Sequence, residues 1–286
     1  EVIVVDNHST DGSQAFIRRN YKKVKLVENE KNLGYSGINS ALKYCRGKYI
    51  LFLNNDMEID KTCIGRMVQT LASDTDAAMV APKLINSYDK TLRSGGTWLS
   101  RAFYNGHIKD DGDSSVKEIP YMGVGLVRKD FVDTFGYLFD PDYFIYGEDV
   151  DLGLRIRLLG KKVLFEPGAV MHHMHSVTMN RSSKIFSTYL MERNLLITFL
   201  KTLSLGHVLL FFPYVFGMRL VGLVKDLLTL DFRAFFGRGK AVLWVLFHPL
   251  LIYQKRKVVQ KFRKIGDDDI LFIFTEKHLF GRTVLV

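Results

Sequence analysis

Two short apolar runs, each closed by acidic or amide side chains, constrain this chain more than any other feature. Val2-Ile3-Val4-Val5 stops at Asp6, and Tyr49-Ile50-Leu51-Phe52-Leu53 stops at Asn54-Asn55-Asp56. Apolar runs of this length between polar turn residues read as strands buried on both faces, as in sheets covered by helices. Ligands of open parallel sheets bind beyond the carboxyl ends of the strands. A core strand gains nothing from a carboxylate, so Asp6 and Asp56 are site candidates. A third acidic group stands far downstream, where Tyr146-Gly147 leads into Glu148-Asp149-Val150-Asp151.

Helix-like segments separate the runs. Strands are expected at 2–5, 24–27, 49–53 and 77–81, and helices at 12–20, 36–45 and 61–72. Asp11 with Gln14 three residues later reads as a capping box for the first helix. This βαβα alternation predicts an α/β fold whose mixed, mainly parallel sheet is flanked by helices. Residues 86–120 lose periodicity and are expected to form an excursion over the site with short antiparallel pieces. Gly123 to Val127 resumes an apolar segment. Leu152, Ile156 and Leu159 lie at helical spacing before Gly160, a C-cap. A last strand at 163–165 is expected to end at Pro167, ahead of His172, His173 and His175.

The texture changes near residue 200, which predicts a catalytic domain over 1–200 and a helical region over 201–286. Residues 203–224 are almost wholly apolar, interrupted by His207 and Arg219, and 241–253 form a second apolar segment. Lys255, Arg256, Lys257, Lys261, Arg263 and Lys264 follow at once. Of the net charge of +10, residues 201–286 carry +8, from 14 Lys+Arg against 6 Asp+Glu. The apolar content beside this charge argues for an anionic membrane surface as partner, and against nucleic acid. The first segment is long enough to cross a bilayer core, but Pro213 and Arg219 favour a peripheral or re-entrant placement. A buried helix pair packed on the catalytic domain is the alternative. Two cysteines and no signal peptide point to a cytoplasmic catalytic domain. Residue 1 is Glu and the first run starts at once, so an earlier strand is expected to lie outside this chain.

The acidic positions permit distinct chemistries. Asp6 could accept hydrogen bonds from a nucleotide base or ribose, or satisfy the amides of its own turn. Asp56 could supply an oxygen ligand to Mg²⁺ or Mn²⁺, which often take one or two protein carboxylates plus substrate phosphates. Asn54 and Asn55 would then position sugar hydroxyls; the alternative is a polar strand-to-helix turn. The acids at 148–151 open a helix and could serve only its dipole. Alternatively one of them faces the cleft as a general base for a weakly nucleophilic sugar hydroxyl.

Together the segments resemble the inverting family-2 glycosyltransferases of the Rossmann-like GT-A fold, in the rhamnosyltransferase-like branch of bacterial cell-surface polysaccharide assembly. The matching stretches are Val4 to Ser13, Asn32-Leu33-Gly34-Tyr35-Ser36-Gly37-Ile38-Asn39, Leu51 to Asp56, and Phe139-Asp140 through Tyr146 to Leu152 and Arg155. His172 and Glu192-Arg193-Asn194 complete the series. The resemblance covers roughly residues 1–200, and the order of the motifs is more specific than any one of them.

The resemblance implies donor contacts from Asp6, Asn7, Asn32, Gly34, Asn54 and Asn55. It implies a metal ligand at Asp56, the last acid of a DxD motif written here Asn-Asn-Asp, with His172 as a further ligand and His173 or His175 as alternatives. It implies Asp149 as the base, helped by Glu148. The expected partners are a nucleotide-sugar donor and a saccharide or lipid-linked oligosaccharide acceptor. Two rivals remain at this point: a sugar-nucleotide pyrophosphorylase, which would want a Gly-rich basic phosphate loop, and a catalytically inactive nucleotide-binding protein on membranes.

Overall fold

A computed structural model of the chain describes residues 1–109, 115–174 and 183–275. β1 (Ile3–Asp6), α1 (Ser13–Asn20) and β2 (Lys25–Glu28) form a parallel βαβ unit, with Asp6 paired to Glu28 at the carboxyl ends. The capping box does not form. Gly12, at φ 87°, precedes α1, and Gln14 instead donates to Asp6 Oδ2 and the Ser9 carbonyl. Residues Gly34–Tyr44 are a 3-10 helix rather than an α-helix. Two glycines let this helix lie close to its neighbours: a Cβ at Gly34 would overlap the Phe144 carbonyl, and one at Gly37 the Asn7 side chain.

The main sheet follows from β3 (Tyr49–Phe52), β4 (Met57–Ile59), α2 (Cys63–Ser73), β5 (Ala77–Asn86), β6 (Leu92–Ser94), β7 (Thr97–Leu99), β8 (Asn105–His107), β9 (Lys117–Ile119), β10 (Gly125–Arg128), α3 (Lys129–Phe135), α4 (Glu148–Leu158) and β11 (Lys162–His173). Its order is β3-β10-β5-β11-β4, with β6 beside β5 and β9 beside β11. The sheet is mixed: β5 and β11 pair in parallel, and β10 runs antiparallel between β3 and β5. Buried Cys63, Met67 and Leu71, four residues apart on α2, pack into the sheet's core with Met79 and Val80. The described residues of the 86–120 excursion include short antiparallel pieces, among them the β7–β8 hairpin.

β11 does not stop at Pro167. Its pairing with β5 shifts register between Glu166 and Val170 and then resumes to His173. That irregularity accommodates a proline that has no N–H for the ladder. His172 and His173 are therefore strand residues with side chains on opposite faces; His175 lies outside the described residues.

The C-terminal region comprises α5 (Lys184–Thr202), α6 (Leu205–Leu228), α7 (Phe232–Phe247), α8 (Pro249–Gln260) and α9 (Asp267–Leu271). Residue 200 falls inside α5, so the expected boundary cuts a helix. α5 packs on α4 on one side and on α7 and α8 on the other. Ala234, Gly237 and Ala241 are buried small residues on α7, and a Cβ at Gly237 would meet the Ile185 carbonyl, so α7 lies close against α5. A second core gathers Leu154 and Leu158 of α4 with Phe199, Val215, Val245 and Ile252.

Candidate active site

Asp6 closes β1 and is buried. Its Oδ2 accepts from the Ser9 amide at 3.0 Å and from Gln14 Nε2 at 2.7 Å. Burial opposes its ionisation, but the hydrogen bonds from Ser9 and Gln14 outweigh it and hold the carboxyl below its ordinary range. Asn7 joins this turn to the next loop. Its Nδ2 donates to the Gly34 carbonyl at 2.8 Å, and its Oδ1 accepts from Asn29 at 2.8 Å. Asn32, which is exposed, accepts from the Gly34 amide at 2.9 Å. Gly34, at φ 62°, lets the Tyr35 amide donate to the Phe144 carbonyl at 2.8 Å. The 32–35 loop is thereby fastened to the segment that leads into α4.

Tyr35 is the residue around which the acids converge. Its hydroxyl donates to Asn54 Oδ1 at 2.7 Å. Burial first, and then the nearby carboxyl groups of Glu148, Asp149 and Asp56, keep the phenol protonated. Asn55 is exposed. Asp56 heads β4, and its carbonyl accepts from the Met174 amide at the end of β11. Asp56 Oδ1 is buried with no hydrogen-bond partner among the described residues, and His173 Nε2 stands 3.4 Å from it. His172, expected as the ligand, faces the other way: its Nε2 lies 3.2 Å from Asp60 Oδ1. The alternation of a strand explains the exchange, because His173 pairs with Met57, next to Asp56, whereas His172 pairs with Glu58. Among the described residues no group of three His, Cys, Asp or Glu side chains is gathered to hold a metal by itself. Asp56 and His173 are a pair of such side chains standing side by side.

Glu148 and Asp149 start α4 behind two consecutive left-handed residues, Tyr146 at φ 68° and Gly147 at φ 80°. Burial raises the Asp149 carboxyl to about 6, against the pull of its backbone hydrogen bonds. Glu148 rises to about 8, through burial first and the neighbouring Asp149 second. Gly123 borders Asp149 Oδ2, where an added Cβ would stand 3.6 Å away, so no side chain covers the carboxylate on that side. Asp151 does not share the cleft. It is buried against Lys201 at 2.8 Å and Arg155 at 2.9 Å. Asp140 joins this network through Lys201 and through Lys255 at 2.6 Å.

Asn194 on α5 holds the entry to α4. It is fully buried, and its Nδ2 donates to the carbonyls of Tyr146 at 2.6 Å and Ile145 at 3.2 Å. A left-handed non-glycine residue such as Tyr146 costs about 1–2 kcal/mol and persists only when its surroundings over-determine it. Tyr35 and Asn194 both lie inside motifs quoted above, but no local spacing assigns them these contacts. Their partners are 19 to 109 residues away in Asn54 and Phe144, and 48 residues away in Tyr146.

Residues 1–131 match the model of glycosyl transferase family 2. Over 179 residues the chain is 27% identical to the glycosyltransferase AglE of Haloferax volcanii, covering 60% of this chain and 56% of that protein. Over 220 residues it is 26% identical to the N-acetylglucosaminyl-diphospho-decaprenol L-rhamnosyltransferase of Mycobacterium tuberculosis, covering 64% of this chain and 70% of that protein. A solved structure of GalNAc-T7 with UDP, GalNAc and Mn²⁺ superposes with a TM-score of 0.52 at 16% identity, over 62% of this chain and 37% of that one, a likeness of fold alone. The fold is that of the GT-A glycosyltransferases. The match to glycosyl transferase family 2 covers residues 1–131, less than half of the chain, and marks what this part resembles. It spans little more than half the length of AglE.

Proposed function

We propose that this protein transfers a sugar, with rhamnose the leading candidate, from a nucleotide-sugar donor to a saccharide or lipid-linked oligosaccharide acceptor. The transfer inverts the anomeric carbon and serves cell-surface polysaccharide assembly. One observation carries the reading. A carboxyl raised by burial, Asp149, and a buried carboxylate oxygen of Asp56 that accepts no hydrogen bond among the described residues, with His173 beside it, lie near one tyrosine, Tyr35, at the carboxyl ends of the strands. The name of the mycobacterial relative supports the sugar and the lipid-linked acceptor.

In this mechanism the loops at Asp6–Asn7 and Asn32–Gly34 receive the nucleotide. Asn54, oriented by Tyr35, and the exposed Asn55 meet the donor sugar. The acceptor hydroxyl oxygen attacks the anomeric carbon while its proton passes to the Asp149 carboxylate. The bond from that carbon to the diphosphate oxygen breaks, and the nucleoside diphosphate leaves with the electron pair. The residues fit a divalent metal. Mg²⁺ or Mn²⁺ would be held by Asp56, with His173 in reach and the donor diphosphate supplying further oxygens. When bound, the ion would neutralise charge on the leaving diphosphate.

Incubation with a panel of nucleotide sugars, a saccharide acceptor and Mn²⁺, with the product's anomeric configuration read by NMR, tests this. An inverted glycoside is expected. Formation of a nucleotide sugar from sugar phosphate and nucleoside triphosphate would support a pyrophosphorylase instead. Donor binding without transfer or hydrolysis would support an inactive nucleotide-binding protein.

Two predictions concern single residues. His173→Ala is expected to raise the Mn²⁺ concentration for half-maximal thermal stabilisation with UDP by roughly tenfold or more, since even outer-shell partners of a metal carry that much. His172→Ala leaves it unchanged; the reverse result would restore His172 as ligand. Asn194→Ala leaves two partly buried carbonyls without their donor, at up to about 1–3 kcal/mol. It is expected to lower kcat by about 10²-fold through misplacement of Asp149, with the donor Kd within twofold. An equal loss in donor affinity would show that Asn194 acts on the whole fold.

The acceptor reading implies a location. A peripheral or re-entrant seat on the cytoplasmic face of an anionic membrane would present a lipid-linked acceptor to the cleft. The apolar helices that follow α5 support it.

A further inference from the structure

We infer that α6 lies flat in one leaflet of an anionic bilayer, parallel to the membrane plane, and forms with α7 and α8 a one-sided seat that does not cross the membrane. This deepens the membrane placement proposed above, and its geometry is independent of the chemistry of transfer.

By length and composition α6 is able to cross a bilayer, yet only 22% of its most apolar stretch is buried against the protein. The buried residues are Val208, Val215, Arg219 and Asp226, spaced 7, 4 and 7 apart as a single stripe. Outside that stripe Leu209, Leu210, Leu220, Val224 and Leu228 are exposed, at 57–78% for the last three and 66–69% for the first two. A helix apolar on every side needs an apolar neighbour all round. α7 and α8 add exposed Phe236, Leu243, Phe247 and Leu250 beside a bend of 76° between them.

The buried stripe shows how α6 lies. At its start the Ser204 amide donates to Asp267 Oδ2 at 2.9 Å. At its middle Arg219, fully buried, donates to the Ala102 carbonyl and, at 3.1 Å, to the Phe103 carbonyl, both in the β7–β8 hairpin. Arg219 also meets Glu192 Oε2 of α5 at 3.1 Å, and Tyr104 donates to the Met218 carbonyl at 3.1 Å. Near its end Asp226 pairs with Arg238 of α7 at 3.0 Å, and Arg238 also binds Glu192. These attachments run over about 33 Å of helix at 1.5 Å per residue. A transmembrane α6 would drag this hairpin and charge network into the hydrocarbon, where polar groups are costly. Lying flat, α6 keeps the network in the protein and offers only its apolar side to lipid.

Charge decides the occupant. Of the six basic residues after the second apolar segment, three are spent inward: Lys255 on Asp140 and Asp142, Arg256 on the Leu200 and Leu203 carbonyls, and Arg263 on Asp267 and the Thr202 carbonyl. Lys257, Lys261 and Lys264 remain exposed, with Arg233 and Lys240 on α7. A second copy of this surface would bring like charges together; anionic headgroups would not.

The test uses the full chain with Cys45→Ser and one environment-sensitive probe at Leu209→Cys, Leu220→Cys or Leu228→Cys. Each is mixed with sealed vesicles of phosphatidylcholine with or without phosphatidylglycerol, carrying quenchers at set depths. Flotation with the phosphatidylglycerol vesicles and one shared shallow depth for all three probes is expected. A deep Leu220 between two shallow ends, or ends in opposite leaflets, would overturn the inference. So would absence of flotation, with or without dimerisation. A Leu209→Glu/Val224→Glu chain is expected to lose vesicle partitioning roughly tenfold or more and to keep transfer to a soluble acceptor. If the parent chain floats at shallow depth but transfers no sugar, the seat stands and the enzymatic reading falls.

Discussion

Under the proposed mechanism, Asp149→Asn is expected to lower the turnover of sugar transfer by about 10³- to 10⁴-fold, near the upper range for a general base, while donor binding is kept. The size follows from placement. No other carboxylate that opens the cleft at α4 is ready to replace Asp149, because Glu148 is pushed up to about 8 and stays protonated at neutral pH. The two acids titrate as a pair that carries one negative charge near pH 7. Transfer is therefore expected to rise with pH through about 6, where Asp149 ionises, and to fall above about 8 as the second charge appears. Glu148→Gln keeps the acid limb and loses the alkaline fall. The sign for stability is opposite to that for activity. An acid whose carboxyl is raised by folding binds more protons folded than unfolded, so its contribution to stability falls as pH rises through that window. Asp149→Asn should then melt no lower than the parent chain, which separates loss of the base from loss of the fold. Turnover within tenfold of the parent's would remove Asp149 from the mechanism.

Lys201→Met destabilises the protein by about 3–5 kcal/mol, the usual cost of breaking a buried ion pair by removing one partner. Lys201 is fully buried on α5, between Asp140 and Asp151, and it ties the segment before α4 to the C-terminal helices. Burial opposes ionisation of Asp140, but Lys201 and Lys255 outweigh it and hold the carboxyl far below its ordinary range. A depressed carboxyl contributes stability that is present above its unfolded pKa of about 4 and lost as pH falls toward the folded one. The parent chain should therefore lose stability on acidification. The variant's deficit should shrink, because its orphaned acids take up protons. Urea unfolding of both chains at pH 7 and pH 4 measures this. A deficit under 1 kcal/mol at pH 7 would show that Arg155 and Lys255 suffice.

Much of the architecture was legible because its signals are local. The apolar runs before Asp6 and Asp56 are strands or lead into one, and the acids stand at their ends. The helix before Gly160 is α4, with Glu148 and Asp149 in its first turn. Where reading failed, a distant partner had outbid a local one. Gln14 abandons its cap for Asp6, and a register shift carries β11 past Pro167 to His173. Half of the basic run turns inward to Asp140, Asp267 and helix-end carbonyls, since a long side chain leaves no trace in sequence of which end of the protein it reaches.

The sequence by itself determined the α/β class, the order of the acidic motifs and the likeness to family 2 that they carry, because strand and helix periods and turn residues are written within a few neighbours of each site. Only the tertiary structure decided which groups face one another. It put His173 rather than His172 beside Asp56, gathered Tyr35 with Glu148, Asp149 and Asp56, and set Asn194 beneath the turn that aims α4. The physical reason is register. A shift of one residue along a strand turns a side chain to the other face, and that choice is made by pairing with residues far away in the chain.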